Sequence, residues 1–153
     1  MSSNSFSVQQ EVERKFLVRK ISDRKPDEVH SLEQFYVEFS KEFEHRIRSI
    51  DGKVFVETKK IGAGLSREER ERFLNKEEFL LLKKNAKTRI AKTRSVYGRW
   101  EVDQYAEDFG LPLVAECELK NESEPLPSLE GFELLEEVTE DARFKNKNLA
   151  KPV

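Results

Sequence analysis

Charged side chains recur at every second position in seven short segments of this 153-residue chain. The first segment, EVERKFLV at residues 11–18, places Glu11, Glu13 and Lys15 in such a row. Successive side chains of a β-strand point to opposite faces of a sheet, so each row belongs to one face of a strand. The pattern therefore predicts a β protein in which many strands carry one charged face.

The segments between the turns are rich in Val, Ile, Phe, Tyr and Thr, which predicts an antiparallel β protein. Asp51-Gly52 is a two-residue hairpin signal, because Gly takes the positive φ that this turn requires. Strands joined by such tight turns are antiparallel neighbours. The predicted strands cover residues 11–18, 34–40, 43–50, 53–60, 66–73, 88–96, 99–105 and 113–119.

The rest of the chain predicts little helix, so we expect an α+β, mainly β fold. Asn75 can cap a helix over KEEFLLLKK, with Glu78 three residues on as in a capping box. Thr139, followed by two acids, can begin a second short helical piece. The Ser- and Gln-rich residues 1–10 have the composition of a disordered leader, which leaves residues 11–153 as one domain.

The composition excludes several classes of function. Lys and Arg number 28 against 30 Asp and Glu, so the chain lacks the basic excess of a nucleic-acid-binding protein. No apolar run approaches the roughly 20 residues of a membrane helix, and we expect a soluble, cytoplasmic protein. Cys117 is the only cysteine and His30 and His45 are the only histidines, so carboxylates would have to hold any metal.

One isolated charged row would most simply be a solvated surface, but seven rows also fit a closed barrel with a charged interior. Such an interior is intolerable when dry, because unpaired buried charges are very costly. Filled with water, divalent cations and a polyanion, it is reasonable, since carboxylates bind hard cations and Arg and Lys bind phosphate. The rows contain the acids Glu11, Glu13, Glu69, Glu71, Glu101, Asp103, Glu116 and Glu118 and the bases Lys15, Arg46, Arg48, Lys60, Arg67, Lys92 and Arg94.

The motifs resemble those of the CYTH superfamily, the triphosphate tunnel metalloenzymes. Glu11-x-Glu13-x-Lys15 is similar to the family's ExExK signature, and RIR, TxK, GLSREERE, KTR, WEVD, AECEL and EEVTEDARFKNKNLA follow in the family's order. The resemblance implies an eight-stranded antiparallel β-barrel that encloses a tunnel, with helices packed outside. It covers nearly the whole chain after the leader, although Phe144 stands where short members usually have Tyr.

The resemblance also implies roles for individual residues. The predicted metal ligands are Glu11, Glu13 and Glu118, supported by Glu116, and the metal is Mg²⁺ or Mn²⁺. Glu69, Glu71 and Asp103 are expected near a second metal or the attacking water. The predicted phosphate-binding residues are Lys15, Arg46, Arg48, Lys60, Lys92, Arg94 and, among three competing C-terminal lysines, Lys147.

The expected function is metal-dependent hydrolysis of inorganic triphosphate to pyrophosphate and phosphate. Nucleoside or thiamine triphosphatase and class IV-type adenylyl cyclase are alternatives on the same fold. A non-catalytic polyphosphate-binding module is an alternative of a different class. We expect a triphosphate-containing small molecule as the partner, with neither nucleic acid nor membrane, and a homodimer is compatible with the sequence.

Overall fold

A computed structural model describes residues 7–62, 66–106 and 112–153, with the side chains of all of these except residues 7–11 and Ser66. Within this part of the chain the structure is mainly β. No helix among the described residues has the length and apolar composition to cross a membrane. The strands are β1 (Ser7–Lys20), β2 (Glu28–Phe39), β3 (Phe43–Ile50), β4 (Val54–Ile61), β5 (Ser66–Leu74), β6 (Thr88–Tyr97), β7 (Trp100–Tyr105), β8 (Leu113–Glu118), β9 (Phe132–Glu137) and β10 (Lys151–Pro152).

The strands form one antiparallel sheet in the order β10-β6-β2-β3-β4-β5-β1-β8-β7, and β9 pairs with β1. Strand β7 also pairs with β6, with Trp100 opposite Tyr97. The predicted hairpin at Asp51-Gly52 is confirmed, since both residues have positive φ, 55° and 67°. The sheet is antiparallel throughout, as the tight turns predict.

All eight predicted strands are present; β3 has its predicted ends, and the other seven have at least one end shifted. Strand β2 begins at Glu28, six residues before the predicted start, because its first half pairs with β6 from Val96 onward. Strand β1 begins at Ser7, within the segment predicted as a leader; residues 1–6 lie outside the described part. The sequence pattern did not predict β9 and β10.

An apolar cluster covers the face of β1, β7 and β8 that lies opposite their charged rows. Trp100 is its largest side chain; the ring of Phe16 lies 5.9 Å from the Trp100 ring, and the indole NH donates to the carbonyl of Pro127 at 3.3 Å. That carbonyl belongs to the segment 121–131 that connects β8 to β9 and supplies Leu126 and Leu129 to the cluster. Because this face is buried in the apolar cluster, the charged side chains on the opposite face of the same strands must find their partners on the other side of the sheet.

Helix α1 (Lys76–Lys83) packs on the outside of β2 to β5, as predicted. The Asn75 side chain accepts from the backbone N–H of Glu78 at 2.8 Å, and the Glu78 carboxylate accepts from the N–H of Asn75 at 2.9 Å, which completes the capping box. The buried ring of Phe79 lies 4.7 Å from the ring of Phe55 and 6.0 Å from that of Phe35. This contact anchors the helix to the sheet.

The C-terminal residues form two short helical pieces, a 3₁₀ helix (Ala142–Phe144) and α2 (Asn146–Leu149). The predicted second helical piece is therefore present, but it begins later than expected. Asp141, not Thr139, caps the 3₁₀ helix by accepting from the backbone N–H of Arg143 at 3.0 Å. Thr139 instead contacts β1, as described below.

Candidate active site

The charged rows of the strands line one cavity of about 250 Å³. The cross-strand register brings them together, since residues directly opposite each other point to the same face. Thus Glu13 lies opposite Glu118, and Lys15 lies opposite Glu116. The lining residues are Glu13, Lys15, Glu44, Arg46, Arg48, Lys60, Arg67, Glu69, Glu71, Arg94, Glu101, Glu116, Glu118, Thr139, Lys145 and Asn146.

Most of the predicted site residues meet in this lining. Four do not. Lys92 and Asp103 are buried against Arg94 outside the lining, and Lys147 reaches the β2–β3 turn. The side chain of Glu11 lies outside the description. Those that meet are Glu13, Lys15, Arg46, Arg48, Lys60, Glu69, Glu71, Arg94, Glu116 and Glu118.

The acids of the lining are compensated by neighbouring cations. Arg67 Nη2 lies 3.2 Å from Glu13 Oε1, and Lys15 Nζ lies 3.6 Å from Glu116 Oε1. Burial opposes ionisation of Glu116, but the charges of Lys15, Lys92 and Arg94 outweigh it and hold its pKa well below the usual value. Glu116 is therefore a carboxylate at neutral pH.

The predicted metal ligands supply the right donor chemistry, because carboxylate oxygens are what hard divalent cations bind. Glu13 and Glu118 face each other across β1 and β8, and Glu116 lines the same cavity. Among the residues whose side chains are described, however, no three Asp, Glu, His or Cys come together closely enough to hold an ion. The carboxylates thus have the donor chemistry that a divalent ion requires, and the role of Glu11, whose side chain is not described, stays a prediction.

A buried amide holds Arg48 in place. Gln34 Oε1 accepts from Arg48 Nε at 3.0 Å and from Nη2 at 2.6 Å, while Gln34 Nε2 donates to the hydroxyl of Tyr36 at 3.0 Å. Burial, together with the nearby charges of Arg46 and Arg94, lowers the pKa of Arg48 to about 10. Arg48 therefore remains a cation at neutral pH, and its guanidinium has a fixed orientation.

Asp103 is the centre of a buried ionic cluster behind the lining. Arg94 binds it bidentately, with N–O distances of 2.8 and 2.9 Å, and Lys92 Nζ lies 2.7 Å from Asp103 Oδ2. Burial opposes ionisation of Asp103, but Lys92 and Arg94 lower its pKa. Burial also lowers the pKa of Lys92 to about 7. The cluster orients Arg94 toward the cavity, and the catalytic role of Asp103 stays a prediction.

The C-terminal segment contributes Thr139, Lys145 and Asn146 to the wall of the cavity. Lys15 Nζ donates to the carbonyl of Phe144 at 3.0 Å, and the backbone N–H of Lys15 donates to Thr139 Oγ1 at 3.0 Å. Because Phe144 contributes its backbone carbonyl, this contact does not depend on whether residue 144 is Phe or Tyr. Lys147 Nζ donates to the carbonyls of Ser40 at 2.7 Å and Lys41 at 3.3 Å, whereas Lys145 lines the cavity.

Sequence reasoning missed several lining residues. Glu44 shares its strand face with Arg46 and Arg48 in EHRIR, so the period of two could have found it. Thr139 and Asn146 carried no such signal, because both lie outside the strands, in the C-terminal segment.

Comparisons with known proteins give relatives among solved structures. No protein-family model matches the sequence, and no curated protein matches it. A crystal structure of the hypothetical protein NE1496 is 30% identical to this chain over 92% of this chain and 97% of that one, with a TM-score of 0.60. A second crystal structure, of the inorganic triphosphatase NE1496, is 29% identical over 94% and 99%, also with a TM-score of 0.60.

A more distant match is the putative adenylyl cyclase HpAC1 from Hippeastrum, a protein with a dominant triphosphatase activity. It is 14% identical over 72% of this chain and 80% of that one, with a TM-score of 0.51, so it supports the fold alone. The NE1496 match extends over almost the full length of both chains and agrees with the ExExK motif on β1 and the charged cavity. The chain therefore belongs to the CYTH superfamily of triphosphate tunnel metalloenzymes.

Proposed function

We propose that the protein hydrolyses inorganic triphosphate to pyrophosphate and phosphate in this cavity, with the help of Mg²⁺ or Mn²⁺. The observation that carries the proposal is a single cavity whose wall combines at least five cationic side chains with several carboxylates. Capture of a polyanion alone requires only the cations. The inorganic triphosphatase activity of NE1496, 29% identical over nearly the full chain, supports the same function.

In this proposal strands β1 to β8 close into a barrel, and the cavity is its interior. Strand β6 pairs with β2 on one side and with β7 on the other, which supports closure. The lining side chains then stand on a rigid wall around the substrate. Such a wall holds its charges in fixed orientations, so that no reorganisation is required when the phosphates bind.

The cations of the wall would bind the phosphate oxygens. Guanidinium groups such as those of Arg46, Arg48 and Arg94 match phosphate bidentately, and the ammonium groups of Lys15 and Lys60 add compact charges. Phosphoryl transfer depends chiefly on positioning and on neutralising charge on the transferring group and the leaving pyrophosphate. These five side chains supply both.

Glu13 and Glu118, with Glu11 and Glu116, would hold the divalent ion. When bound, the ion would neutralise charge on the phosphate oxygens. Glu69 and Glu71 line the cavity from β5, and one of them would accept the proton of the attacking water. Asp103, held between Lys92 and Arg94, would act by positioning Arg94 rather than by touching the substrate.

The character of the lining favours an inorganic substrate. Its described members are charged residues plus Thr139 and Asn146, and they include no aromatic or aliphatic side chain for a nucleobase or a thiazole ring. Recognition of an organic group normally uses apolar and aromatic walls. We therefore expect tripolyphosphate to be preferred over ATP and thiamine triphosphate.

The test is to measure phosphate release from tripolyphosphate, ATP and thiamine triphosphate in parallel with Mg²⁺, Mn²⁺ or a chelator. We expect metal-dependent release that is fastest on tripolyphosphate. Faster release from ATP or thiamine triphosphate would show that the substrate is that organic triphosphate and not tripolyphosphate. Cyclic AMP formation from ATP would identify a cyclase. Tight binding of tripolyphosphate without release would identify a binding module instead.

A further inference from the structure

Glu44 is an acid in a row that otherwise presents bases. On β3 it shares one face with Arg46 and Arg48, and all three line the cavity. Arg46 Nη1 donates to Glu44 Oε2 at 3.0 Å, and both side chains are more than nine-tenths buried. Lys60 lies directly opposite Glu44 on β4. Nothing in the proposed hydrolysis uses this carboxylate.

Glu44 is ionised. Burial opposes its charge, but the charges of Arg46, Lys60, Arg67 and Lys147 outweigh burial and lower its pKa. A buried carboxylate surrounded in this way keeps its charge at neutral pH. An approaching phosphate therefore meets a fixed negative charge at this point of the wall.

Glu44 lies at one end of the row of bases. Along β3, Glu44 and Arg48 are four residues apart, roughly 13 Å at the usual rise of a strand. Beyond Glu44 the chain turns to β2, where the carbonyls of Ser40 and Lys41 accept from Lys147 of the C-terminal segment. Along the chain, Glu44 thus stands between the arginines of β3 and the turn that Lys147 contacts.

We propose that Glu44 sets the length of polyphosphate that the cavity accepts, by disfavouring chains longer than tripolyphosphate. The inference rests on the proposed binding of triphosphate by Arg46, Arg48 and their neighbours. A fourth phosphoryl group extending along β3 would approach the Glu44 carboxylate and would compete with it for Arg46. Like charges at close range in a partly desolvated site repel strongly, and specificity often depends on such a repulsive contact.

The test is a calorimetric titration with tripolyphosphate and with tetrapolyphosphate, in chelator so that no turnover contributes. The wild-type protein should bind tripolyphosphate more tightly. In Glu44→Gln, the amide oxygen can still accept from Arg46, but the charge is gone. We expect the Kd of tetrapolyphosphate, relative to that of tripolyphosphate, to fall about tenfold. Glu42→Gln, two residues away and exposed, is the matched control and should leave the ratio unchanged.

Glu44→Asp keeps the charge and should keep the preference for the shorter chain. The proposal is wrong if wild-type protein binds both ligands equally, or if Glu44→Gln changes both affinities by the same factor, as expected of a residue that only orients Arg46. The comparison of the two ligands on wild-type protein can still contradict the proposal if a variant fails to fold. Because the readout is a ratio of binding constants without metal, it is independent of whether hydrolysis is later found.

Discussion

At the scale of single residues, the cavity is defined by charges that have partners before any substrate arrives. Asp103 is shared by Lys92 and Arg94, and Arg48 is fixed by the amide of Gln34. Such pairing is required because a buried charge left alone is far more costly than one that is hydrogen-bonded. The same pairing holds Arg48 and Arg94 in the cavity wall, where the proposed substrate would meet them.

Arg48→Ala should lower kcat/KM for tripolyphosphate about 100-fold, because hydrogen bonds from a fixed cation to phosphate are lost. The melting temperature should fall by only a few degrees, because Gln34 Nε2 stays bonded to Tyr36 while Gln34 Oε1 loses its two donors from Arg48. Steady-state kinetics and a melting curve measure the two effects. Arg89→Ala, on the exposed pair with Glu33, is the control, and wild-type kinetics for Arg48→Ala would exclude contact with the substrate.

The lowered pKa of Lys92, about 7, predicts a pH dependence of binding. Lys92 is a cation below this pH and loses its charge as the pH rises through it, so its attraction for a polyanion should fade above neutrality. At pH 6 the wild type should bind tripolyphosphate about tenfold more tightly than Lys92→Met does, and at pH 9 the two affinities should be nearly equal. The ligand's own titration affects both proteins alike.

Isothermal titration across this pH range measures the ratio, with Lys53→Met, in an exposed turn, as the control. A ratio that stays constant with pH would show that Lys92 does not change charge near neutrality in the free protein.

At the scale of elements, an ionic cluster on the side of the sheet away from the cavity joins β3, β4 and β5. Glu57 on β4 is buried; its carboxylate lies 2.6 Å from His45 Nε2 and accepts from Arg72 Nε at 2.5 Å. Burial opposes the charge of Glu57, but these two partners lower its pKa to about 2. The cluster therefore stabilises the three-strand unit that carries much of the cavity wall.

Because the pKa of Glu57 is lowered on folding, its contribution to stability is present above the unfolded pKa of about 4.5 and is lost as the pH falls toward about 2. Glu57→Gln should reduce the free energy of unfolding at pH 7 by about 2 to 3 kcal/mol. It should also flatten the loss of stability between these pH values. Urea unfolding at several pH values measures both, and an unaltered pH profile would contradict the assignment.

Glu33→Gln is the matched control, because Glu33 makes an exposed pair with Arg89 across two strands. Exposed pairs contribute little, so its free energy of unfolding should change by less than about 1 kcal/mol.

The period of two in the sequence predicted which strand face carries charge, but it could not predict which of those side chains line the cavity and which are buried behind it. Lys92 and Arg94 share a face of β6, yet only Arg94 lines the cavity. Lys92 instead pairs behind the lining with Asp103, the residue opposite Arg94 on β7. Strand β9 was missed because most of FELLEE is exposed and its pairing with β1 is long-range. Glu44 is the opposite case. Its position two residues before Arg46 was enough to predict the charged face, but it was overlooked because it is an acid in a row of bases.

At the scale of the whole molecule, the near-neutral charge of the chain and the charged cavity have one explanation. Acids and bases on neighbouring strands compensate one another when no ligand is bound, as in the pairs of Arg67 with Glu13 and Lys15 with Glu116. In the proposed function, the acids of the wall would bind the divalent ion and its bases would bind the triphosphate. The sheet supplies the rigid wall, and the C-terminal segment contributes Lys145 and Asn146 to it.

The most direct test of this account is phosphate release from tripolyphosphate by wild-type protein and Glu13→Gln, each with Mg²⁺, with Mn²⁺ and with chelator. Glu122→Gln, in an exposed loop, is the control. We expect wild type and control to release phosphate only with metal, and Glu13→Gln to be at least about 100-fold slower while still folded. Equal release by Glu13→Gln at saturating metal, or release by wild type in chelator, would contradict metal-dependent hydrolysis in this cavity.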